Sequence, residues 1–117
     1  MREILFRGKM VDNGEWVYGY YYYTEHVDSH IIRDKYCNTY RIELSTIGQF
    51  TGLTDKNGVK IFEGDILKHF YFLEAQVDWV DGSFCWNNGE KIDYMDYNYA
   101  CLCEVIGNIH DTIGGEK

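Results

Sequence analysis

The chain has 117 residues, of which 45% are hydrophobic and 17% aromatic, and its formal net charge at pH 7 is −8. This length suits one domain or two small subdomains, and the composition excludes a disordered chain. We expect no membrane association, because no apolar run reaches the length of a membrane span. Nucleic acid is not the expected partner either, because an acidic chain without a basic run lacks the charges that neutralise phosphates.

A β-hairpin is predicted near the N-terminus. Residues 4–11 and 15–24 are two apolar runs, separated by an Asp-Asn-Gly sequence. Asn-Gly between two such runs is the strongest short-range hairpin signal, since both residues tolerate a positive φ. Asn13 and Gly14 are therefore predicted to be turn residues.

The second run, WVYGYYYYT, predicts a strand with aromatic side chains on both faces. Alternation along the strand separates two sets of side chains: Trp16, Tyr18, Tyr20 and Tyr22 on one face, and Val17, Gly19, Tyr21 and Tyr23 on the other. Tyrosine suits strands and protein interfaces, whereas a stacking platform for bases needs a positive groove that the sequence does not indicate. The candidate interface residues are Trp16, Tyr18, Tyr21 and Tyr23.

Weaker strand patterns and a series of turns follow. Residues 30–33 and 39–44 predict two short strands, and Asp55, Asn57 and Gly58 predict a tight turn. An EF-hand loop starting at Asp55 is excluded, because its glycine falls at the fourth position instead of the sixth and an isoleucine replaces the bidentate acid. No metal site is predicted here.

The stretch IFEGDILKHF, residues 61–70, places Glu63 and Asp65 on either side of Gly64. A general acid–base pair needs two carboxyl groups that converge on one substrate. A turn is the simpler interpretation, because an acid side chain there can accept hydrogen bonds from exposed backbone N–H groups. Gly64 and Asp65 are therefore predicted to shape a turn that leads into a strand at residues 66–72.

Three more strands are predicted at residues 75–80, 83–87 and 101–109, with a hairpin turn at the Asp-Gly pair 81–82. One helical turn is predicted within residues 94–100. Several short strands at regular spacing, without a strong helical period, predict a mainly β fold of the sandwich or barrel type.

The cysteines and histidines indicate neither a disulfide framework nor a metal centre. The N-terminus becomes polar too early for a secretory signal, so we expect a cytoplasmic protein with reduced thiols. There is no C-x-x-C pair, and the histidines are scattered. We expect no cofactor. The four cysteines are Cys37, Cys85, Cys101 and Cys103.

No catalytic motif is present. The sequence lacks G-x-S-x-G, H-E-x-x-H, G-x-x-x-x-G-K-[ST] and G-x-G-x-x-G. Ser29 lies between Asp28 and His30, but this composition is typical of a hairpin tip, and adjacency in sequence is not the geometry of a triad. We therefore do not expect an enzyme.

Four segments, in this order, resemble the YopX family of small phage and prophage proteins. They are REILFRGK at residues 2–9, WVYG at 16–19, IGQFTGLTDKNGVKIFEGDIL at 47–67 and CEVIGNIHD at 103–111. The resemblance implies an N-terminal β-hairpin-rich part followed by a small SH3-like β-barrel. We place the two parts at residues 1–45 and 46–117, packed as one compact unit. The resemblance carries over no catalytic residue.

We expect a non-enzymatic protein-interaction or self-association module, whose partner is a second copy or a host or phage protein. The alternative is a weakly nucleic-acid-associated or DNA-mimicking accessory protein, by analogy with other small barrels. The acidic excess lies late in the chain, with two basic and nine acidic side chains in residues 73–117 against nine and ten in residues 1–72. A third hypothesis is a metal-assisted or hydrolytic enzyme that uses Glu63, Asp65 and His69.

Overall fold

The computed structural model describes residues 3–70 and 74–111. The chain divides into two compact units, Met1–Phe50 and Thr51–Lys117. Within the described ranges, strands dominate both units, and there is one short α-helix. No helix in this part of the chain is long and apolar enough to span a membrane.

The first unit is an antiparallel sheet. Its elements are β1 (Phe6–Lys9), β2 (Trp16–Thr24), β3 (Ser29–Arg33), β4 (Thr39–Arg41), a 3₁₀ turn at Leu44–Thr46 and the start of β5 (Gly48–Thr54). The spatial order of the strands is β4-β3-β2-β1-β5. β1 pairs with residues 16–19 of β2, whereas β3 pairs with residues 20–24. β2 therefore changes its hydrogen-bonded neighbour halfway along its length.

The predicted first hairpin is confirmed. Gly14 has a positive φ of 74°, and its N–H donates to the carbonyl oxygen of Met10 at 2.9 Å. The Oδ1 atom of Asn13 accepts a hydrogen bond from the N–H of Glu15 at 2.9 Å, which is an Asx turn. Side chain and backbone together close the connection between β1 and β2.

The second unit contains the end of β5 and a second sheet. Its further elements are β6 (Lys60–Phe62), β7 (Asp65–His69), β8 (Glu74–Val80), β9 (Ser83–Asn87), β10 (Ile92–Tyr94), α1 (Tyr97–Ala100) and β11 (Cys103–Asn108). β6 lies beside β5, and the other strands form an antiparallel sheet in the order β10-β9-β8-β7-β11. The core of this unit is a cluster of fully buried side chains: Ile61, Leu67, Val77, Ala100 and Cys103.

The prediction of a mainly β fold is confirmed, since the described strands form two antiparallel sheets. Closure into a barrel is not observed among the described residues, because β10 and β11 lie at opposite edges of the second sheet. The outer edge of β11 is instead bonded by a turn: the N–H of Lys56 donates to the carbonyl oxygen of Cys103 at 2.9 Å. The same turn also accepts a hydrogen bond from the N–H of Val105 through the carboxylate of Asp55.

The three late strands and the helical turn appear where the sequence predicts them, as β8, β9, β11 and α1. The hairpin turn between β8 and β9 is confirmed, since Asp81 and Gly82 both have positive φ values, 51° and 82°. Trp79 lies opposite Phe84 in this hairpin, with their ring centroids 4.6 Å apart.

Other predictions differ from the structure. The strand predicted at residues 66–72 is β7, which begins at Asp65 and ends at His69, while Tyr71 and Phe72 lie outside the described residues. β5, β6 and β10 have no counterpart among the predicted strands. The frequent glycines of residues 46–67 indicate turns, so they do not predict β5 and β6. β10 is only three residues long and exposed throughout, so it has no alternating pattern of buried residues.

Candidate functional site

The first unit contains a groove of about 790 Å³, which we call the aromatic groove. Three segments line it: residues 3–5 ahead of β1, residues 17–20 of β2 and residues 33–36 after β3. Its volume is within the range of sites that hold a ligand or a few side chains of a partner.

The floor of the aromatic groove depends on Gly19. A Cβ atom built on Gly19 lies 2.1 Å from the carbonyl oxygen of Arg33 and 3.0 Å from the Cα atom of Asp34. Contacts this short leave no room for any side chain. Because Gly19 has none, the backbone that follows β3 can lie directly against β2, which brings residues 33–36 to the groove.

Three of the residues that line the groove are exposed tyrosines. Tyr20 and Tyr36 are 66% and 73% exposed, and Tyr18 is also exposed. Ile4 adds an exposed aliphatic side chain from the segment before β1. Exposed apolar surface that is concave and contiguous is the kind of surface that marks an interaction site.

The Asp34 carboxylate holds the rim of the groove in shape. Its Oδ1 atom accepts hydrogen bonds from the N–H groups of Tyr36 and Asn38, both at 2.9 Å, and its Oδ2 atom accepts one from the Tyr40 hydroxyl at 3.0 Å. Desolvation acts to raise the pKa of Asp34, but these hydrogen bonds outweigh it and lower the pKa. Asp34 therefore stays ionised while it positions Tyr36.

Two cations lie on either side of Asp34. Arg33 and Lys35 are both exposed and line the groove, and the Lys35 Nζ atom lies 5.3 Å from the centroid of the Tyr36 ring. Glu3 is the other acid among the lining residues. The rim at residues 33–36 thus presents two positive side chains, while the carboxylate of Asp34 accepts hydrogen bonds from residues of the turn that follows it.

The four predicted interface residues occupy different environments. Tyr18 alone among them lines the groove, and Trp16 is half-buried with the Arg7 guanidinium 4.6 Å from its ring centroid. The Tyr21 hydroxyl hydrogen-bonds the Nδ1 atom of His30 at 2.7 Å. Tyr23 is exposed, and its hydroxyl donates to the carboxylate of Asp28.

Two tyrosines of the groove, Tyr20 and Tyr36, are not among the predicted interface residues. Tyr20 shares a strand face with Tyr18, so alternation was a usable signal for it. Tyr36 lies in the polar connection between β3 and β4, where no periodic pattern exists. Its place beside β2 follows from the close backbone approach at Gly19.

The predicted turn at Asp55, Asn57 and Gly58 is built around the Asp55 carboxylate. This buried side chain accepts hydrogen bonds from the N–H groups of Asn57 at 2.8 Å and Val59 at 2.9 Å. Its other oxygen accepts from the N–H of Val105 in β11 at 2.9 Å. Desolvation acts to raise the pKa of Asp55, but these three hydrogen bonds outweigh it and lower the pKa.

The turns at Asp34 and Asp55 have the same hydrogen-bond pattern. In each, the aspartate N–H donates to the carbonyl oxygen four residues later at 2.9 Å, and its carbonyl oxygen accepts from the N–H three residues later at 3.0 Å. The residue three places after the aspartate has a positive φ, 71° at Cys37 and 81° at Gly58. The sequences DKYCN and DKNGV thus form one kind of loop twice.

Gly64 and Asp65 lie at the start of β7. Gly64 has a φ of 91°, and its N–H donates to the carbonyl oxygen of Val77 at 2.8 Å. The Asp65 side chain is buried, and its Oδ2 atom accepts a hydrogen bond from the N–H of Phe62 at 2.8 Å. Glu63 is half-buried. The described residues contain no group of three or more His, Cys, Asp or Glu side chains that could hold a metal ion.

His69 belongs to the buried aromatic packing of the second unit. Its ring lies 4.8 Å from that of Tyr99, and Tyr99 stacks on Trp86 at 4.9 Å with the two planes nearly parallel. Burial lowers the pKa of His69 and raises the pKa of Cys103 to about 11. Both groups are therefore neutral at pH 7.

Ser29 is held by structural hydrogen bonds. Its side chain is buried, and its hydroxyl donates to the carbonyl oxygen of Val27 at 2.9 Å. The same oxygen accepts a hydrogen bond from the Nε atom of Arg41 at 3.1 Å. These contacts tie the start of β3 to β4.

Comparison with known proteins identifies the family. No curated protein matches the chain. A family model described as YopX protein matches residues 5–113, which is nearly the whole chain. The chain belongs to the YopX family.

Proposed function

We propose that this chain is a non-enzymatic interaction module that binds a protein segment in the aromatic groove. The observation that carries the proposal is the concave surface formed by exposed Tyr18, Tyr20 and Tyr36. Tyrosine is enriched in interface cores because it supplies a large contact area together with a polar hydroxyl. We place its action in the cytoplasm of the host cell of a phage or prophage.

The hydrogen bonds and the close backbone contact beneath the groove support this role. Tyr36 is held through its backbone by Asp34, and β2 and the segment after β3 touch at Gly19. A surface that is already ordered loses little conformational entropy when a partner binds. The groove is therefore suited to a partner segment that docks without rearranging it.

Single-stranded nucleic acid is the second candidate, because Arg33 and Lys35 lie beside the tyrosines. Stacked bases on aromatic rings with nearby cations are the usual chemistry of such sites. The charge balance disfavours it, since residues 1–50 contain six basic and seven acidic side chains. A DNA-mimicking role is supported only by the acidic excess of residues 51–117, which contain five basic and twelve acidic side chains.

We also propose that the second unit is an open relative of the SH3-like barrels. The five-stranded antiparallel sheet and the turn that bonds the edge of β11 support this. The pattern of NMR cross-strand contacts in the isotope-labelled chain tests it, and strand pairings that cannot be mapped onto such a barrel would contradict it.

Peptide selection tests the proposed interaction. The purified chain is used to select binders from a displayed library of random peptides, and the affinities of the selected peptides are measured by fluorescence polarisation. We expect a Tyr20→Ser/Tyr36→Ser variant to bind them at least about tenfold more weakly. Tyr22→Ser is the matched control, because Tyr22 lies on the same strand face and is exposed but does not line the groove.

Two outcomes count against the proposal. One is a selection that returns no binder, and the other is a set of binders whose affinity is unchanged in the double variant. A labelled single-stranded oligonucleotide is measured in parallel. Salt-sensitive binding that is lost in the double variant favours the second candidate instead.

A further inference from the structure

The rim of the aromatic groove places two exposed cations beside apolar surface. Arg33 and Lys35 are exposed there, and Asp34 between them is engaged by hydrogen bonds within its own turn. A carboxylate from an occupant can pair with the Arg33 guanidinium through charge-assisted hydrogen bonds. Aromatic or aliphatic side chains of the same occupant can pack against Tyr20 and Tyr36.

The chain carries a segment of matching chemistry at residues 90–97, EKIDYMDY. This segment, which we call the acidic strand segment, contains β10 and the residues on either side of it. Tyr94 and Tyr97 are each 69% exposed, and Ile92 is exposed as well. Three acids alternate with them and are also exposed: Glu90, Asp93 and Asp96.

β10 is also an edge strand. Among the described strands it is bonded on one side only, to β9, so its outer side carries backbone groups that no strand pairs with. An exposed edge with apolar side chains is a template for pairing with another chain unless charge protects it. The acids of the segment repel an identical strand edge and so prevent pairing with it, but they do not repel a basic surface.

The two surfaces are complementary in charge and alike in aromatic content. The groove rim presents Arg33 and Lys35 beside tyrosines, with Glu3 elsewhere in the lining. The acidic strand segment presents three carboxylates beside tyrosines, with Lys91 as its one cation. The complementarity is local to these two surfaces, because both halves of the chain are acidic overall, with an excess of one acid in residues 1–50 and of seven in residues 51–117. Complementary charge sets the orientation and the association rate of such a contact.

We infer that the aromatic groove of one copy binds the acidic strand segment of a second copy of this chain. This inference rests on the proposed function and names its occupant. The contact joins two different surfaces, so repetition of it closes into a ring or continues into a filament. Self-association therefore depends on protein concentration and weakens as salt rises.

Sedimentation velocity of the full chain over a concentration series, at low and high salt, tests the inference. We expect wild type to form dimers or larger species at low salt. An Arg33→Glu/Lys35→Glu variant and a Glu90→Lys/Asp93→Lys variant are each expected to associate at least about tenfold more weakly. Lys68→Glu and Glu25→Lys are the matched controls, since both residues are exposed and belong to neither surface.

Mixing the two double variants is the decisive measurement. Each variant alone places like charges on both surfaces, whereas in the mixture every groove meets a segment of opposite charge. We expect the mixture to associate as wild type does. Circular dichroism and thermal unfolding establish that each variant is folded before it is compared.

Three results overturn the inference: a wild type that is monomeric at every concentration, association that is unchanged in both double variants, and a mixture that stays monomeric. None of these removes the proposed function if selected peptides still bind the groove. If instead the peptides fail to bind while the mixture associates, the groove takes only its own segment and the wider proposal fails.

Discussion

The carboxylate of Asp55 accepts a hydrogen bond at 2.9 Å from the backbone N–H of Val105, fifty residues further along the chain. With its other oxygen, Asp55 holds the turn that contains Asn57 and Gly58. One side chain thus shapes a local turn and bonds it to the edge of β11. This relationship joins the segment after β5 to the last strand of the second unit.

Asp55→Ala is expected to destabilise the chain by about 3 kcal/mol, because it removes the buried, charged acceptor of three backbone N–H groups. The free energy of unfolding is measured by urea denaturation. Lys56→Ala, at the adjacent and exposed position, is the control and is expected to change it by less than about 0.5 kcal/mol. A loss for Asp55→Ala as small as that of the control would contradict the role given to Asp55.

The stability of the chain is expected to fall as the pH drops below 6.5, and His69 is the cause. Burial lowers the pKa of His69 from its ordinary value of 6.5, so the unfolded chain binds a proton that the folded chain does not. The contribution of neutral His69 to the free energy of unfolding is complete above pH 6.5, and it is lost as the pH falls through the pKa of His69 in the folded chain.

Urea denaturation across this pH window measures the effect of His69. His69→Phe keeps an aromatic ring against Tyr99 and is expected to flatten the pH dependence in this window. His26→Phe is the control, because His26 is exposed. An unchanged slope in His69→Phe would assign the pH dependence to another group.

A second, more acidic window is expected from Asp55. Its pKa is lowered from the ordinary value of 3.8, so its stabilising effect is complete above that pH and is lost as the pH falls through the folded pKa. In Asp55→Asn the loss of stability below pH 3.8 is expected to be smaller than in wild type. Urea denaturation in acidic buffers measures this, and equal losses in both proteins would contradict the lowered pKa.

Gly19→Ala is expected to destabilise the first unit by about 2 kcal/mol, since the new Cβ atom would lie 2.1 Å from the carbonyl oxygen of Arg33. Gly107→Ala is the matched control, because nothing lies within 4 Å of a Cβ atom there. Thermal unfolding measures both. Equal melting temperatures for the two variants would show that β2 and the segment after β3 separate easily.

The two similar turns, which begin at Asp34 and Asp55, predict opposite effects on stability for substitutions at their equivalent positions. Cys37 has a φ of 71°, so Cys37→Gly is expected to stabilise the chain by about 0.5 kcal/mol, the relieved strain being partly offset by backbone entropy. Gly58 has a φ of 81°, so Gly58→Ala is expected to destabilise it by about 1 kcal/mol. Urea denaturation under reducing conditions measures both, and effects of the same sign would contradict the shared geometry.

Much of the local structure could be predicted because short-range chemistry decides it. Asn13-Gly14 and Asp81-Gly82 form their turns from the φ values that these residues tolerate, and β2 follows from alternation in a tyrosine-rich run. Four sequence segments in a fixed order resemble the YopX family, and the match over residues 5–113 confirms this family. These features depend on neighbours in the sequence and require no knowledge of distant contacts.

The candidate site could be predicted only in part. Tyr18 was named from the strand pattern, but Tyr36 comes from a connection without periodicity and reaches the groove only through the backbone contact at Gly19. Likewise, the composition around Asp55 predicts a turn, but it does not indicate that the Oδ2 atom of Asp55 accepts a hydrogen bond from the N–H of Val105.

The sequence by itself determined eight of the eleven described strands, the turns of the β1–β2 and β8–β9 hairpins and the family, because these depend on side-chain alternation and on the φ preferences of single residues. Only the tertiary structure decided that the aromatic groove exists and that the Asp55 turn is bonded to the outer edge of β11. The physical reason is that both features are contacts between segments far apart in the chain, and such contacts depend on how backbones pack, which no local pattern encodes.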